Sequence, residues 1–108
     1  MSIRQIESVE MFKQLVDQEP AVLIDFFATW CGPCKMLHPV LESAATKLDG
    51  KVVIAQVDID KEQDLAGAFN VQSVPTLIFF KEGKPVLATA GYMDEKGLMS
   101  FIEAAQAK

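Results

Sequence analysis

The sequence predicts an α/β fold in which one five-stranded mixed sheet carries helices on both faces. Apolar runs typical of strands alternate with helical apolar spacing in the first half of the chain, and a hairpin and a helix follow in the second half. The length of 108 residues, half of them hydrophobic, suits a single domain over residues 1–108 with a real core. The order of the strands does not follow from this pattern.

The first elements lead to the most apolar strand of the chain. Residues 3–6 are predicted to form a short edge strand. Apolar residues then recur at helical spacing after Ser8, a plausible N-cap, until Pro20 ends the helix. The run Ala21–Phe27 is apolar except for Asp25, which is typical of a strand covered on both faces.

A long helix, a strand and a short helix are predicted next. The long helix is expected to begin at Pro33, which suits a first helical turn, and to end before Gly50. Pro39 lies inside this helix and is expected to kink it. Residues 52–59 form the next strand. The Asp-Lys-Glu-Gln sequence at the start of residues 60–69 resembles a capping box that opens a short helix.

The last elements are predicted to be a hairpin and a helix. Residues 76–81 and 84–90 have strand character and are joined by Glu-Gly, which suits a tight turn. Because Pro85 has no N–H to donate to a ladder, the last strand is expected at an edge of the sheet. Asp94 can cap a final helix. The apolar face of that helix comprises Leu98, Phe101, Ile102 and Ala105.

Charge and hydropathy exclude several classes of function. With 15 acidic against 10 basic residues the net charge is -5, which disfavours binding to nucleic acid. No apolar run is long enough to cross a bilayer, and the first residues lack the apolar core of a secretory signal. We therefore expect a cytoplasmic monomer. In that compartment a close cysteine pair is more often catalytic or metal-binding than structural.

The two cysteines of the chain lie in Cys31-Gly32-Pro33-Cys34, between a strand and a helix. Helical neighbours at this spacing are about 5–6 Å apart, within reach of a disulfide. Cys31 is the predicted nucleophile, because backbone amides and the dipole at a helix N-terminus favour a thiolate and lower the thiol pKa. Cys34 starts the buried stripe of the helix and is the predicted resolving thiol. Gly32 lets a partner backbone approach closely, and Pro33 stiffens the loop.

Two other interpretations of the cysteines remain open. They could be a buried pair without chemistry, although Gly-Pro between them at a strand-to-helix switch argues against this. They could also bind zinc with His38, four residues beyond Cys34, but zinc usually has four ligands and the chain has no second cysteine pair. The redox interpretation is favoured, and His38 is expected on the helix surface.

Three places near the cysteines hold further candidates. Asp25 is flanked by apolar residues, so burial should raise its pKa and let it take the proton of Cys34. The alternative is a structural acid satisfied by backbone donors. Trp30 can shield the neighbouring sulfur and offer a surface to a partner, or simply pack. The backbone of Val74, before Pro75, is able to pair with an extended substrate chain.

Residues 25–35, which include Trp-Cys-Gly-Pro-Cys-Lys, together with residues 74–76 and Gly91, resemble the thioredoxin family, and the resemblance extends over essentially the whole chain. The resemblance implies a thioredoxin-like fold, a cis peptide before Pro75, and reduction of disulfides in client proteins by the cysteine pair. It also implies an apolar docking surface for clients. That surface would comprise Trp30, Gly32, Pro33, Val74, Pro75, Ala90 and Gly91.

The same resemblance implies partners. Thioredoxin reductase and NADPH would supply electrons, the redox-active disulfide would be the sole redox group without a further cofactor, and the clients would be ribonucleotide reductase, peroxiredoxins and methionine sulfoxide reductases. An oxidant or isomerase of the same fold and a non-catalytic binding module are the alternatives, and Gly-Pro between the cysteines favours a reductant. The chain departs from many thioredoxins at Phe27, at Tyr92 and at Gln56, where loss of a lysine should leave ionised Asp25 less stabilised.

Overall fold

The computed structural model describes residues 3–108, and this part of the chain contains five strands and four helices. The strands are β1 (Ile3–Gln5), β2 (Ala21–Phe27), β3 (Val53–Asp58), β4 (Thr76–Lys81) and β5 (Lys84–Ala90). The helices are α1 (Val9–Gln18), α2 (Gly32–Lys47), α3 (Gln63–Ala68) and α4 (Glu95–Gln106). The predicted α/β class is confirmed, and β3 is one residue shorter at each end than predicted.

The five strands form one mixed sheet in the order β1-β3-β2-β4-β5. The strand β3 pairs in parallel with β1 and β2, whereas β4 pairs antiparallel with β2 and β5. The edges are therefore β1 and β5, which confirms the predicted edge strands. Pro85 lies in β5, where its missing N–H is tolerated because no further strand follows.

The helices cover both faces of the sheet, and β2 is buried between them. On one face α1 and α3 contribute Phe12, Leu15, Val16 and Leu65 to a cluster with residues of the central strands. On the other face α2 and α4 contribute Leu37, Leu41, Leu98 and Ile102. Residues 22–26 are completely buried as a result. Within residues 3–108 there is no helix that has the length and apolar character needed to cross a bilayer.

Two predicted helix caps are confirmed. Ser8 Oγ accepts the N–H of Met11 at 3.0 Å, and Asp94 Oδ1 accepts the N–H of Gly97 at 2.9 Å. Each side chain satisfies a backbone donor that lacks a partner inside its helix. These bonds fix where α1 and α4 begin, and hence how both helices enter the packing on the sheet.

The predicted start of the short helix α3 is wrong. Glu62 precedes α3 as its cap residue, and its side chain makes no capping hydrogen bond. Gln63 donates from Nε2 to the carbonyl oxygen of Asp60 at 3.2 Å, whereas in a capping box its side-chain oxygen would accept the N–H of Asp60. Asp60 lies two residues before this cap position, and its Oδ2 accepts a hydrogen bond from the indole of Trp30 instead of from the helix.

Replacing Asp94 with alanine should lower the free energy of unfolding by about 1 kcal/mol, because the N–H of Gly97 loses its capping oxygen. Asp94→Asn is the matched control, since its side-chain oxygen can accept the same bond. Urea unfolding followed by far-ultraviolet circular dichroism measures both variants. Equal stability of the alanine and asparagine variants would contradict the capping role.

Candidate active site

Cys31 and Cys34 form a disulfide at the N-terminal end of α2, with their Cα atoms 5.3 Å apart. Cys31 is the N-cap residue of the helix, and its Sγ accepts the N–H of Cys34 at 3.1 Å. The predicted placement of Cys31 at a helix N-terminus is therefore confirmed. A sulfur in this position faces unpaired backbone amides and the positive end of the helix dipole, which favour negative charge after reduction.

The two cysteines differ in position but not in exposure. Cys34 lies in the buried stripe of α2 with Leu37 and Leu41, as predicted. Cys31 is just as buried, since each cysteine residue is only 5% exposed. The carbonyl oxygen of Val74 lies 3.6 Å from Cys31 Sγ and helps to cover it. The N-cap position, and not greater exposure, is therefore what distinguishes Cys31.

Backbone contacts place the start of β4 and the end of β5 next to the disulfide. Val74 touches Cys31, and the peptide between Val74 and Pro75 is cis, as the resemblance implies. The N–H of Gly91 donates to the carbonyl of Pro75 at 2.9 Å, and Thr76 pairs with Ala90 across the strands. The residues expected to dock clients thus come from three chain segments that meet around one sulfur.

The seven residues expected to form the docking surface differ in exposure. Four are exposed, two are half-buried, and Pro75 is buried, so its side chain adds little to an open surface. The exposed residues are Trp30, Gly32, Pro33 and Ala90, and the half-buried ones are Val74 and Gly91. A patch of this kind leaves apolar groups and backbone available beside a covered disulfide.

Trp30 is oriented by an acid whose role is not visible in the sequence pattern. Its Nε1 donates to Oδ2 of Asp60 at 2.9 Å, while the residue remains 66% exposed. The backbone of Asp60 is itself held, because its N–H bonds to Oδ1 of Asp58 at 2.9 Å. The local spacing of Asp60 matches a helix cap, and only the folded chain brings it to a tryptophan 30 positions away.

Asp25 is fully buried in the central strand and is only partly satisfied by hydrogen bonds. Its Oδ2 accepts from Nε2 of Gln56 at 3.0 Å, across the register pair of β2 and β3. Its Oδ1 accepts no hydrogen bond from residues 3–108, so the alternative of an acid satisfied by backbone donors does not hold. Burial raises the pKa of Asp25 from its ordinary value of 3.8 to about 6, against smaller lowering effects of Gln56 and His38.

An open pocket of about 250 Å³ lies beside Cys34. Cys34, His38 and Gln56 line this pocket together, and Lys35 lies on its wall. Asp25 is fully buried and does not line the pocket, but its hydrogen bond to Gln56 joins it to the pocket wall. The arrangement suits proton exchange between a thiol, a carboxyl group and solvent.

The geometry gives the zinc interpretation no support. Across the described range, 3–108, no three histidine, cysteine, aspartate or glutamate side chains converge in a group that could hold a metal ion. The imidazole of His38 instead contacts Gln56 through Nδ1 and Glu42 through Nε2, at 3.4 and 3.3 Å. His38 is half-exposed on α2, as predicted.

A mixed sheet that presents a redox-type cysteine pair at a helix N-terminus defines a thiol–disulfide oxidoreductase. The thioredoxin family model matches residues 4–104 of the chain. The chain belongs to the thioredoxin family, whose members are disulfide reductases.

Individual relatives agree with this assignment. The chain is 49% identical over 81 residues to a thioredoxin of Staphylococcus saprophyticus, covering 75% of this chain and 78% of that one. A mutant thioredoxin from Halobacterium salinarum superposes with a TM-score of 0.89 at 36% identity, over 96% of this chain and 90% of that one. A further match is a chain from structural work on the thiol resolving mechanism in yeast mitochondrial 1-Cys peroxiredoxin via glutathione/thioredoxin systems. It superposes with a TM-score of 0.87 at 30% identity, over 95% of this chain and 95% of that one.

Asp25 should make the oxidised protein lose stability as the pH rises. Its pKa is about 6 in the folded state against an ordinary value of 3.8, so the folded state holds the proton more tightly than the unfolded state. The contribution of Asp25 to stability is therefore greatest below about pH 4 and falls by about 3 kcal/mol in total until about pH 7.

Asp25→Asn is the comparison, because the amide keeps an acceptor for Gln56 but does not ionise. Urea unfolding of both oxidised proteins between about pH 4 and pH 8 should show the variant more stable at pH 8, with the difference closing towards pH 4. Parallel pH profiles would show that Asp25 does not titrate as the geometry implies.

Proposed function

We propose that the protein reduces disulfides in client proteins with Cys31 as nucleophile, Cys34 as resolving thiol and Asp25 as proton acceptor and donor, all within one domain of residues 1–108. The observation that carries this assignment is the hydrogen bond from the N–H of Cys34 to Sγ of Cys31. A thiolate in that position strengthens the same bond and gains from the helix dipole, which favours attack by Cys31.

The proposed reaction consists of two thiol–disulfide exchanges. The Cys31 thiolate attacks one client sulfur, forms a mixed disulfide and releases the other client sulfur as a thiolate, which is protonated by solvent. Cys34 then gives its proton to Asp25 and attacks Sγ of Cys31. The Cys31–Cys34 bond forms, the remaining client thiolate leaves and is protonated, and two electrons have passed from the protein to the client.

Burial and hydrogen bonding support the role of Asp25. A carboxyl group with a pKa of about 6 is mostly ionised at neutral pH, yet it is a much stronger base than an ordinary aspartate. Gln56 occupies only Oδ2, which leaves Oδ1 as the atom that receives the proton. The pocket beside Cys34, which Gln56 also lines, is the proposed exit of the proton to solvent.

We further propose that clients dock on the patch around the disulfide. Trp30 supplies exposed aromatic area whose orientation Asp60 fixes, and Tyr92, 44% exposed, extends the patch beyond Gly91. The carbonyl of Val74 lies beside Cys31, so a client chain that pairs with this backbone would bring its disulfide to the attacking sulfur. The patch would then position the client disulfide as well as contribute to the affinity for the client.

Thioredoxins generally work with thioredoxin reductase and with disulfide-bearing clients. We infer that thioredoxin reductase and NADPH recycle this protein and that its clients are ribonucleotide reductase, peroxiredoxins and methionine sulfoxide reductases. The likeness to a chain solved in the context of a 1-Cys peroxiredoxin supports peroxiredoxins as clients. The redox-active disulfide is proposed as the sole redox group, in a cytoplasmic monomer whose net charge of -5 argues against nucleic acid as a partner.

Cys34→Ser should accumulate a mixed disulfide with insulin, because no second thiol displaces the bound chain. Insulin reduction driven by NADPH and thioredoxin reductase should fall to background, and non-reducing gel electrophoresis should show the adduct. Cys31→Ser is the matched control and should give neither turnover nor adduct. Turnover by Cys34→Ser near the wild-type rate would refute the assigned roles. An adduct formed by Cys31→Ser instead would exchange them.

A further inference from the structure

Gln56 connects the buried acid to a half-exposed histidine. The Nε2 of Gln56 lies 3.0 Å from Oδ2 of Asp25 and 3.4 Å from Nδ1 of His38, so its two hydrogens face two acceptors. Its amide oxygen accepts from Nε2 of Gln5 at 2.8 Å. Gln56 is only 4% exposed, so three neighbours fix the orientation of an amide that water scarcely reaches.

These contacts select one form of the His38 ring. Nδ1 must be unprotonated to accept from Gln56, so the ring hydrogen lies on Nε2, which is 3.3 Å from Oε2 of Glu42. If the Gln56 amide turned over, its oxygen would face the ionised Asp25 carboxylate and the unprotonated Nδ1 of His38, and neither atom has a hydrogen to donate. His38 therefore helps to hold the N–H of Gln56 on Asp25.

We propose that His38 is a positioning residue for the resolving step: its Nδ1 fixes the Gln56 amide, and that amide holds Oδ2 of Asp25 so that Oδ1 receives the Cys34 proton. The inference rests on the proposed function, because it concerns the same proton acceptor. His38 lies four residues after Cys34, on the same side of α2, and both residues line the same pocket.

The charge of His38 acts in the same direction as this hydrogen bond. A protonated ring loses the bond to Gln56 but places a positive charge near Asp25, which lowers the pKa of that carboxyl against the effect of burial. In either state His38 favours the ionised acid. The other charged groups at this place are Lys35 on the pocket wall and Glu42 on the ring, whereas β1 and β3 contribute the uncharged Gln5 and Gln56.

The first test is the titration of Asp25 in oxidised protein, where neither cysteine ionises, followed by carboxyl ¹³C NMR. His38→Leu removes the acceptor and the charge and should raise the pKa of Asp25 by at least about 0.5. His38→Asn keeps an oxygen at the place of Nδ1 without a charge and should stay closer to wild type. An unchanged pKa in the leucine variant would overturn the proposal, as would equal shifts in both variants.

The second test measures the resolving rate against pH, in single turnovers of reduced protein with insulin. In His38→Leu the midpoint of the pH profile of the resolving rate should rise by the same amount as the pKa of Asp25. In His38→Asn the midpoint should lie closer to that of the wild-type protein than to that of His38→Leu. A midpoint unchanged in His38→Leu would overturn the positioning role.

Asp25→Asn separates failure of this inference from failure of the proposed function. If that variant resolves the mixed disulfide at the wild-type rate at neutral pH, the proton-acceptor role of Asp25 is wrong and the inference fails with it. If Asp25→Asn is slow but His38→Leu retains the wild-type midpoint, only the role of His38 is wrong.

Discussion

The helix α2 is capped by a sulfur atom, and the rest of the site is arranged around that one hydrogen bond. The N–H of Cys34 donates to Sγ of Cys31, so the two cysteines are already held together by the backbone geometry that allows their disulfide. The packing of α2 on the sheet fixes the position of this cap, because Leu37 and Leu41 are buried in the core cluster beneath the helix. Hydrophobic packing thus determines where the sulfur lies, and a helix N-terminus favours the thiolate form of a sulfur placed there.

The burial of Asp25 is unfavourable for stability but suits the proposed chemistry. A carboxyl group in the most buried strand loses its hydration, and Gln56 replaces only part of it. An apolar residue at this position would suit the core better. The same desolvation raises the pKa of Asp25 to about 6, which is the property that the proposed proton acceptor of Cys34 requires. The parallel pairing of β2 with β3 places Gln56 beside it and so ties the acid to the pocket.

The sequence predicts the features that depend on neighbouring residues, and it misses the features that depend on contacts between distant parts of the chain. Ser8 and Asp94 cap helices as predicted, because a cap depends on residues two or three positions away. Asp60 has the same local pattern, but Trp30 takes its carboxylate, and no local pattern reveals that contact. The strand order and the contact of Gln56 with His38 likewise depend on the folded sheet. The sequence singles out both cysteines and Asp25 as candidates, but it does not reveal that Cys31 is covered.

The central claim is that the N-cap position activates Cys31 although both cysteines are equally buried. The most direct measurement is alkylation of the reduced, folded protein at pH 7 with limiting iodoacetamide, mapped by peptide mass spectrometry. Cys31 should be modified at least about tenfold faster than Cys34, and unfolding in urea should remove most of that preference. Equal rates in the folded protein, or faster reaction at Cys34, would contradict the account.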